Sequence, residues 1–336
     1  SHAAVTEPVQ PADYRAAAQQ ILAALQVTLT GEKVVLKPNV TAGEHHANPD
    51  SGIGTHPAFV GGLIDYLTGQ GARPGGIYIV EDPRDTDDNH PRHWRGTGYD
   101  ELAQATGVKL RCPTTYTCVK RSVPQPQVFP HLNVSRLAVA PDTVLINVPK
   151  LKTHNLAITT LCLKNLMGLV NVFDRHYCGQ AWRELAAAGM LPESEGRPRE
   201  AWMDERIHAA WQEGLARRLV DTAQVIRPHL NIVEGVVGRE GTGFQRGRNF
   251  PLGLAIAGVN MVAVDTVASY LMGFDPARLI YLQYAAAAGL GSNDLAQLRV
   301  YVVEDGAIVP CRDVEALCAR HPLRVIRNIA GEPDIS

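Results

Sequence analysis

The chain has 336 residues, of which 45% are hydrophobic and 20% charged, and a formal net charge of −2. That length holds one large α/β domain or two smaller ones around a substantial core, and the composition is that of a globular protein. With charge near zero and basic residues scattered, bulk electrostatics gives no reason to expect nucleic acid or an anionic membrane surface as partner.

Residues 1–29 read as an N-terminal extension with a helix over 12–27, Asp13 lying in its first turn. Ser1-His2 has the look of a tag remnant. The Ala/Pro-rich stretch after it fits the head of an exported chain or a trimmed cytoplasmic one, with export slightly favoured. A strand is predicted at 34–38 (VVLKP), stopped by Pro38. A helix covers 57–70 with Pro57 at its first position, where a missing N–H does no harm. A strand at 76–82, a short helix at 99–106 and a strand at 108–112 follow. The Pro-, Thr- and Ser-rich segment 113–135 reads as a long excursion or hairpin between lobes. Further strands are predicted at 143–149 (TVLINVP), 230–238, 251–258 and 299–303. Helices are predicted over 199–227, 262–272, 276–288 and 313–320, and 179–200 looks like an inserted helix and mobile loop over a site.

The segment 252–274 is nearly all apolar, yet Asp265 sits in its middle. A charge at bilayer centre costs ~2.5–3.5 kcal/mol on insertion scales. With Asn260 and Gly273 as punctuation, the stretch reads as a buried strand and a buried helix, not a membrane span. Alternation of short strands and helices predicts an α/β fold with a largely parallel twisted sheet flanked by helices. The expected organisation is a core over 30–295, with lobes 30–140 and 141–295, completed by a strand and helix in 296–336. Such sheets bind ligands beyond the carboxyl ends of their strands.

Six cysteines are present, none in a C-x-x-C pair, so zinc ribbons, ferredoxin-type clusters and thioredoxin-type redox pairs find no support. Cys112 with Cys118, and Cys311 with Cys318, are spaced as short-loop disulfides would be, or they are buried thiols. Two such bridges would place the chain outside the cytoplasm.

The candidate site is built from strand ends. Lys37-Pro38-Asn39 ends the first strand, Glu81-Asp82 the next, and TVLINVP runs into Lys150-Leu151-Lys152-Thr153-His154. Lys150, Lys152 and Lys164 lie within fifteen positions. They suit a carboxylate or phosphate, one of them with a pKa lowered by like-charged neighbours and usable as base or nucleophile. Lys164 lies in an otherwise apolar run, and lysine is rarely buried unless paired. His154 and His176, with His45, His46 and His56 earlier, offer nitrogen ligands for a divalent metal, although no spacing matches a known ligand motif. Asp265 sits early in an apolar helix capped by Asn260. The helix dipole favours it there, or it pairs with a buried lysine such as Lys164 or Lys150. The loop GREGTGFQRGR (238–248), with Arg239, Arg246 and Arg248, is either an anion cradle or a surface turn. It is neither a Walker loop nor a Rossmann fingerprint.

The series VVLKPNV (34–40), THPAFVGGLIDYL (55–67), VLINVPKLKTH (144–154), TLCLKNLMG (160–168), IVEGVVGREGTGFQRG (232–247) and VAVDTVASYLMGF (262–274) resembles the domain of unknown function 362 family over roughly 30–295. The positions that match are Lys37, Asn39, Lys150, Lys152, His154, Lys164, Asn165, His176, Glu240 and Asp265. The resemblance implies that many relatives are exported through the twin-arginine route and that many carry a ferredoxin-like cluster domain. This chain lacks the cysteine run and so has no iron–sulfur cluster of its own. The family is distantly similar to the N-terminal part of nickel-pincer lactate racemases, and none of their ligands is carried over to a residue here. The expected function is an enzyme of small-molecule metabolism acting on an anionic substrate, isomerase-like in its chemistry. Lys150, Lys152, His154, Lys164 and Asp265 would be catalytic, Lys37, Asn39, Asn165, Arg239 and Glu240 would bind substrate, and His154 and His176 would be metal ligands. The alternatives are a metal- or anion-binding protein without turnover and a redox accessory subunit with a separate partner.

Overall fold

The structure is a computed structural model that describes residues 10–28, 33–40, 48–83, 88, 90–191, 199–319 and 321–327. His45 and His46 lie outside the described residues. In chain order the elements are α1 (Pro11–Ala24), β1 (Lys33–Pro38), α2 (Pro57–Gly69), β2 (Ile77–Val80), α3 (Tyr99–Thr106), β3 (Lys109–Arg111), β4 (Cys118–Ser122), β5 (His131–Ser135), β6 (Thr143–Val148), β7 (Lys150–His154) and β8 (Ile158–Thr160). They continue with α4 (Cys162–Asn165), α5 (Tyr177–Ala187), α6 (Arg199–Met203), α7 (Glu205–Val225), β9 (Leu230–Arg239), β10 (Asn249–Gly258), α8 (Met261–Leu271), α9 (Ile280–Ala287), β11 (Tyr301–Glu304) and β12 (Ala307–Pro310).

One mixed sheet runs in the order β3-β2-β1-β6-β9-β7-β8, with β10 antiparallel to β9. β1, β2, β3, β6 and β9 are parallel, as Val/Ile-rich strands buried on both faces require. β6 and β7 are one path of chain bent at Pro149. β6 pairs with the start of β9 through Ile146 and Asn147, the Pro149 carbonyl accepts the Glu234 N–H, and β7 pairs further along with Lys150 opposite Glu234. The lysine motif KLKTH, expected just past a strand end, is thus itself a strand, and all five of its residues are buried.

The expected boundary between lobes at 140 is crossed by a ladder from Lys33–Thr143 to Pro38–Val148, so both halves share one sheet. The two hydrophobic cores are its two faces. α1, α2 and α3 cover one with Tyr14, Ala18, Leu22, Phe59, Leu63 and Leu102, so α1 is part of the core and not an extension. α5, α7, α8 and α9 cover the other with Trp182, Trp211, Leu219, Val264 and Leu282. Segment 113–135 forms the separate β4–β5 hairpin.

The helix expected over 199–227 is broken at Asp204, whose carboxylate caps α7 by accepting the N–H groups of Arg206 and Ile207. Segment 252–274 is β10 followed by α8, and among the described residues no helix is long and apolar enough to cross a membrane. β11 and β12 form a hairpin apart from the main sheet, and the helix expected over 313–320 is only a 3-10 turn at Glu315–Leu317. What the C-terminal segment adds to the core is Leu323 and Ile326. Cys162 is a buried thiol, and Cys178, Cys311 and Cys318 are partly buried thiols.

Lys150 and Glu234 are 2.5 Å apart with their side chains 1% and 0% exposed. Burying two charges is costly, and removing one partner strands the other. Glu234→Ala is expected to lower the unfolding free energy by ~3–5 kcal/mol, and the double change Lys150→Met with Glu234→Leu by much less. Urea denaturation of the three proteins checks this.

Candidate functional site

A cleft of about 610 Å³ opens at the carboxyl ends of the parallel strands. Asn39 reaches it from the end of β1, Glu81 and Asp82 from the end of β2, and Lys152 and His154 from β7. Lys164 and Asn165 come from α4, Arg175, His176 and Arg183 from the start and body of α5, and Gly243 and Phe244 from the glycine-rich loop. Gly243 has φ +99°, and a Cβ there would lie 2.6 Å from the Thr153 carbonyl oxygen, so only glycine lets this loop lie against β7.

The floor is charged and nearly dry. Lys37 Nζ donates to Glu81 Oε2 at 2.6 Å, to the Pro38 carbonyl at 2.6 Å and to Asn165 Oδ1 at 3.2 Å. Asn165 Nδ2 donates to the Lys37 carbonyl at 2.9 Å and to Asn147 Oδ1 at 2.8 Å. Asn147 in turn donates to Asn231 Oδ1 at 3.0 Å and to the Cys162 carbonyl at 3.1 Å. This chain of amides ties β1, β6, β9 and α4 together. Gly168, the glycine of K-N-x-x-G, closes it: a Cβ there would sit 1.9 Å from Glu81 Oε1 and 2.7 Å from Lys37 Cε.

Lys152 is held differently. Its Nζ donates to Asn39 Oδ1 at 2.8 Å and to the Ile53 carbonyl at 2.6 Å, and no carboxylate takes part. Burial first, then the neighbouring Lys164, Arg239 and Lys150 cations, push its pKa well below the usual lysine range, against a weaker pull from Glu81. Burial also lowers Lys37 and Lys150, but Glu81 and Glu234 oppose that shift. Lys164 is half-buried on the cleft wall, and among the described residues it has no ion-pair partner.

His154 ends β7 just before a tight turn. Its Nδ1 accepts the N–H groups of Leu156 at 3.0 Å and Ala157 at 3.2 Å. The turn needs Ile158 at φ +68°, a strained position for a β-branched residue. With Nδ1 occupied as an acceptor, the neutral ring carries its proton on Nε2. Burial, then Lys164 and Lys152, hold the ring's pKa well below the ordinary imidazole value, so neutral is its resting form.

Asp265 is not in the cleft. It is fully buried, and its oxygens accept the Cys162 N–H at 2.7 Å and the Leu163 N–H at 3.0 Å. The ion pair expected with Lys164 or Lys150 is replaced by a cap on α4, which places Lys164. Lys150 is likewise under the floor, spent on Glu234. Lys37 is beneath the cleft and touches it only through Asn165 and Glu81. Arg239 and Glu240, expected to bind substrate, brace the loop instead. The Arg239 guanidinium donates to the Ser51 and Gln245 carbonyls and to Asn249 Oδ1, while Glu240 accepts from Arg248 and from the Arg324 N–H. Neither residue lines the cleft, because these bonds hold both at the base of the loop.

Asn39, Lys152, His154, Lys164, Asn165 and the exposed His176 do meet at the cleft. Among the described residues no group of three or more His, Cys, Asp or Glu is placed to hold a metal ion. Sequence reasoning missed Arg175, which pairs with Asp82, and Arg183, which stands on the exposed part of the wall. Arg175 adjoins the noted His176 in FDRHY. Arg183 gave no signal beyond lying in the segment read as covering a site.

Asp265 is pushed from the ordinary 3.8 up to about 7 by burial, against the pull of the amide donors of α4. Between those values the folded chain keeps a proton that the unfolded chain has lost. This contribution to stability is complete below about pH 4 and is lost as pH rises through about 7. The stability advantage of the wild type over Asp265→Ala is therefore expected to be largest near pH 4 and to shrink towards pH 7. Denaturant midpoints across that range check it.

A Thermotoga maritima protein of known crystal structure superposes with TM-score 0.42 at 10% identity, covering 88% of this chain and 61% of that one. A thylakoid-associated protein of Synechocystis sp. is 28% identical over 268 residues, which is 79% of this chain and 70% of the relative. The sequence profile of the family described as "Domain of unknown function (DUF362)" matches residues 34–270, from β1 to the last turn of α8. It spans the sheet, the amide chain beneath the cleft and the cap on α4, and the chain belongs to that family.

Proposed function

We propose that the cleft binds a small molecule bearing a carboxylate or phosphate, and that the chain is an enzyme acting on it by lysine and histidine acid–base chemistry of the isomerase or proton-transfer kind. The observation that carries this is the charge balance of the cleft wall. Glu81 is spent on Lys37 and Asp82 on Arg175, while Lys164 and Arg183 have no carboxylate partner among the described residues and Lys152 bonds only neutral acceptors. A partly dehydrated recess with surplus positive charge attracts an anion, and low local dielectric strengthens that attraction.

The roles follow from protonation and place. Lys164 and Arg183 would hold the anionic end of the ligand. Lys152, destabilised as an ammonium, would serve as a neutral amine, usable as base or nucleophile. The Nε2–H of neutral His154 would donate to the oxygen on which charge develops, a fixed dipole aimed at a transition state. The same tautomer argues against His154 as a metal ligand with His176. Metal at Nε2 would displace the proton to Nδ1, where two backbone N–H groups already point.

The expected result is that inorganic phosphate or malonate raises the melting temperature of the wild type. Lys164→Ala should weaken that binding roughly 10- to 100-fold, the value of a lost charge-assisted hydrogen bond. Catalysis is tested in D2O with a panel of short 2-oxo and 2-hydroxy acids, watching for deuterium entering the carbon beside the carbonyl or hydroxyl group. Exchange that disappears in His154→Ala supports the enzyme. Tight anion binding with neither exchange nor product from any acid makes the chain a binding protein.

A further inference from the structure

Lys37, Lys150 and Lys152 are 0%, 1% and 3% exposed, three buried lysines beside a single sheet. A buried ammonium is tolerated when a carboxylate and further acceptors surround it. Lys37 has Glu81 at 2.6 Å and Lys150 has Glu234 at 2.5 Å. Lys152 has two acceptors, Asn39 Oδ1 and the Ile53 carbonyl, and both are uncharged.

That count matches a neutral amine. An –NH2 group has two hydrogens and one lone pair. Asn39 and Ile53 take the two hydrogens, and the lone pair is left directed away from them on a residue that lines the cleft. An ammonium would carry a third hydrogen with no acceptor among the described residues, and it would stand among Lys164, Lys150 and Arg239. Burial and these cations also disfavour the charged form. A desolvated lysine next to other cations is the physical recipe for an amine nucleophile at neutral pH.

We propose that Lys152 forms a covalent imine with an aldehyde or ketone group of the anionic substrate. The inference rests on the anion-binding reading of the cleft and adds the substrate class: a small oxo acid or phosphorylated carbonyl compound. In the first step the Nζ lone pair forms a C–N bond to the carbonyl carbon, and the carbonyl π pair moves to oxygen. One proton passes from nitrogen to that oxygen, giving a carbinolamine. The oxygen then leaves as water with a second proton drawn from solvent, and a protonated imine remains. The His154 Nε2–H donates a hydrogen bond to the oxygen while it carries charge. The protonated imine draws electrons from the neighbouring carbon and makes its proton acidic, which is what isomerase-like chemistry needs.

The test uses the wild-type chain, glyoxylate as a carbonyl probe bearing a carboxylate, and cyanoborohydride to reduce any imine at neutral pH. Peptide mass mapping then locates the carboxymethyl group left on the amine. The expected result is modification of Lys152 ahead of the exposed Lys33 and Lys120, with excess malonate protecting it. Modification of Lys33 and Lys120 with Lys152 untouched overturns the proposal. Thermal shift with malonate alone separates the two readings. Malonate binding without labelling of Lys152 sinks the imine and leaves the anion site standing, and no malonate binding with no labelling sinks both. Lys152→Met is expected to abolish the label. Because the mapping is done on the wild type, the test does not depend on that variant folding.

Discussion

Everything near the cleft is governed by the cost of placing ammonium groups inside a sheet. β1 carries Lys37, and the β6–β7 path carries Lys150 and Lys152, at positions with almost no contact with water. Two of these charges are met by carboxylates at their own level, Glu81 past β2 and Glu234 on β9. Each pair then fixes the register of the strands that bear it, because a slip of one residue would turn a charge into an apolar face. The third lysine has no such partner, and it is the one that faces the cleft. Function is expected where the protein leaves a buried ionisable group without a counter-charge, and here that group is a lysine.

The surrounding structure holds that imbalance in place. Asp265 fastens the start of α4, Asn165 and Asn147 fasten its end to β1 and β9, and Gly168 lets Glu81 and Lys37 pack directly beneath. The lysine-asparagine-x-x-glycine element is therefore a mechanical unit: its lysine faces the cleft, its asparagine bonds the floor and its glycine makes room. In the same way the turn after β7 exists to give two N–H groups to His154 Nδ1. A strained Ile158 and a glycine at 243 are the local costs of that geometry.

Much of the architecture was legible in the chain. Val/Ile-rich runs bounded by proline and glycine gave the parallel strands, and Asp265 inside an apolar stretch separated β10 and α8 from a membrane span. The lysine and histidine cluster was legible as well, since ammonium groups in apolar runs demand an explanation whatever the fold. What went astray went astray for one reason: periodicity speaks of a residue's face and says nothing of its neighbour across space. KLKTH looked like a polar rim because the residues that neutralise or cradle it, Glu234 and Asn39, are far off in sequence. Arg239 and Glu240 looked like ligand-binding residues because glycines surround them, yet their side chains bond the neighbouring backbone, Asn249 and Arg248.

By itself the sequence determined the class of fold, the family and the kind of side chains available for chemistry, because these depend on local pattern and on residue type. Only the tertiary structure decided which lysine lines the cleft without a carboxylate bond and which pair with one, which tautomer His154 adopts, and that Asp265 caps a helix. Those properties are set by dehydration and by hydrogen-bond partners that lie up to 128 positions away in the chain. No local stretch of sequence contains that information, because an ammonium group is the same in every lysine until the fold chooses what surrounds it.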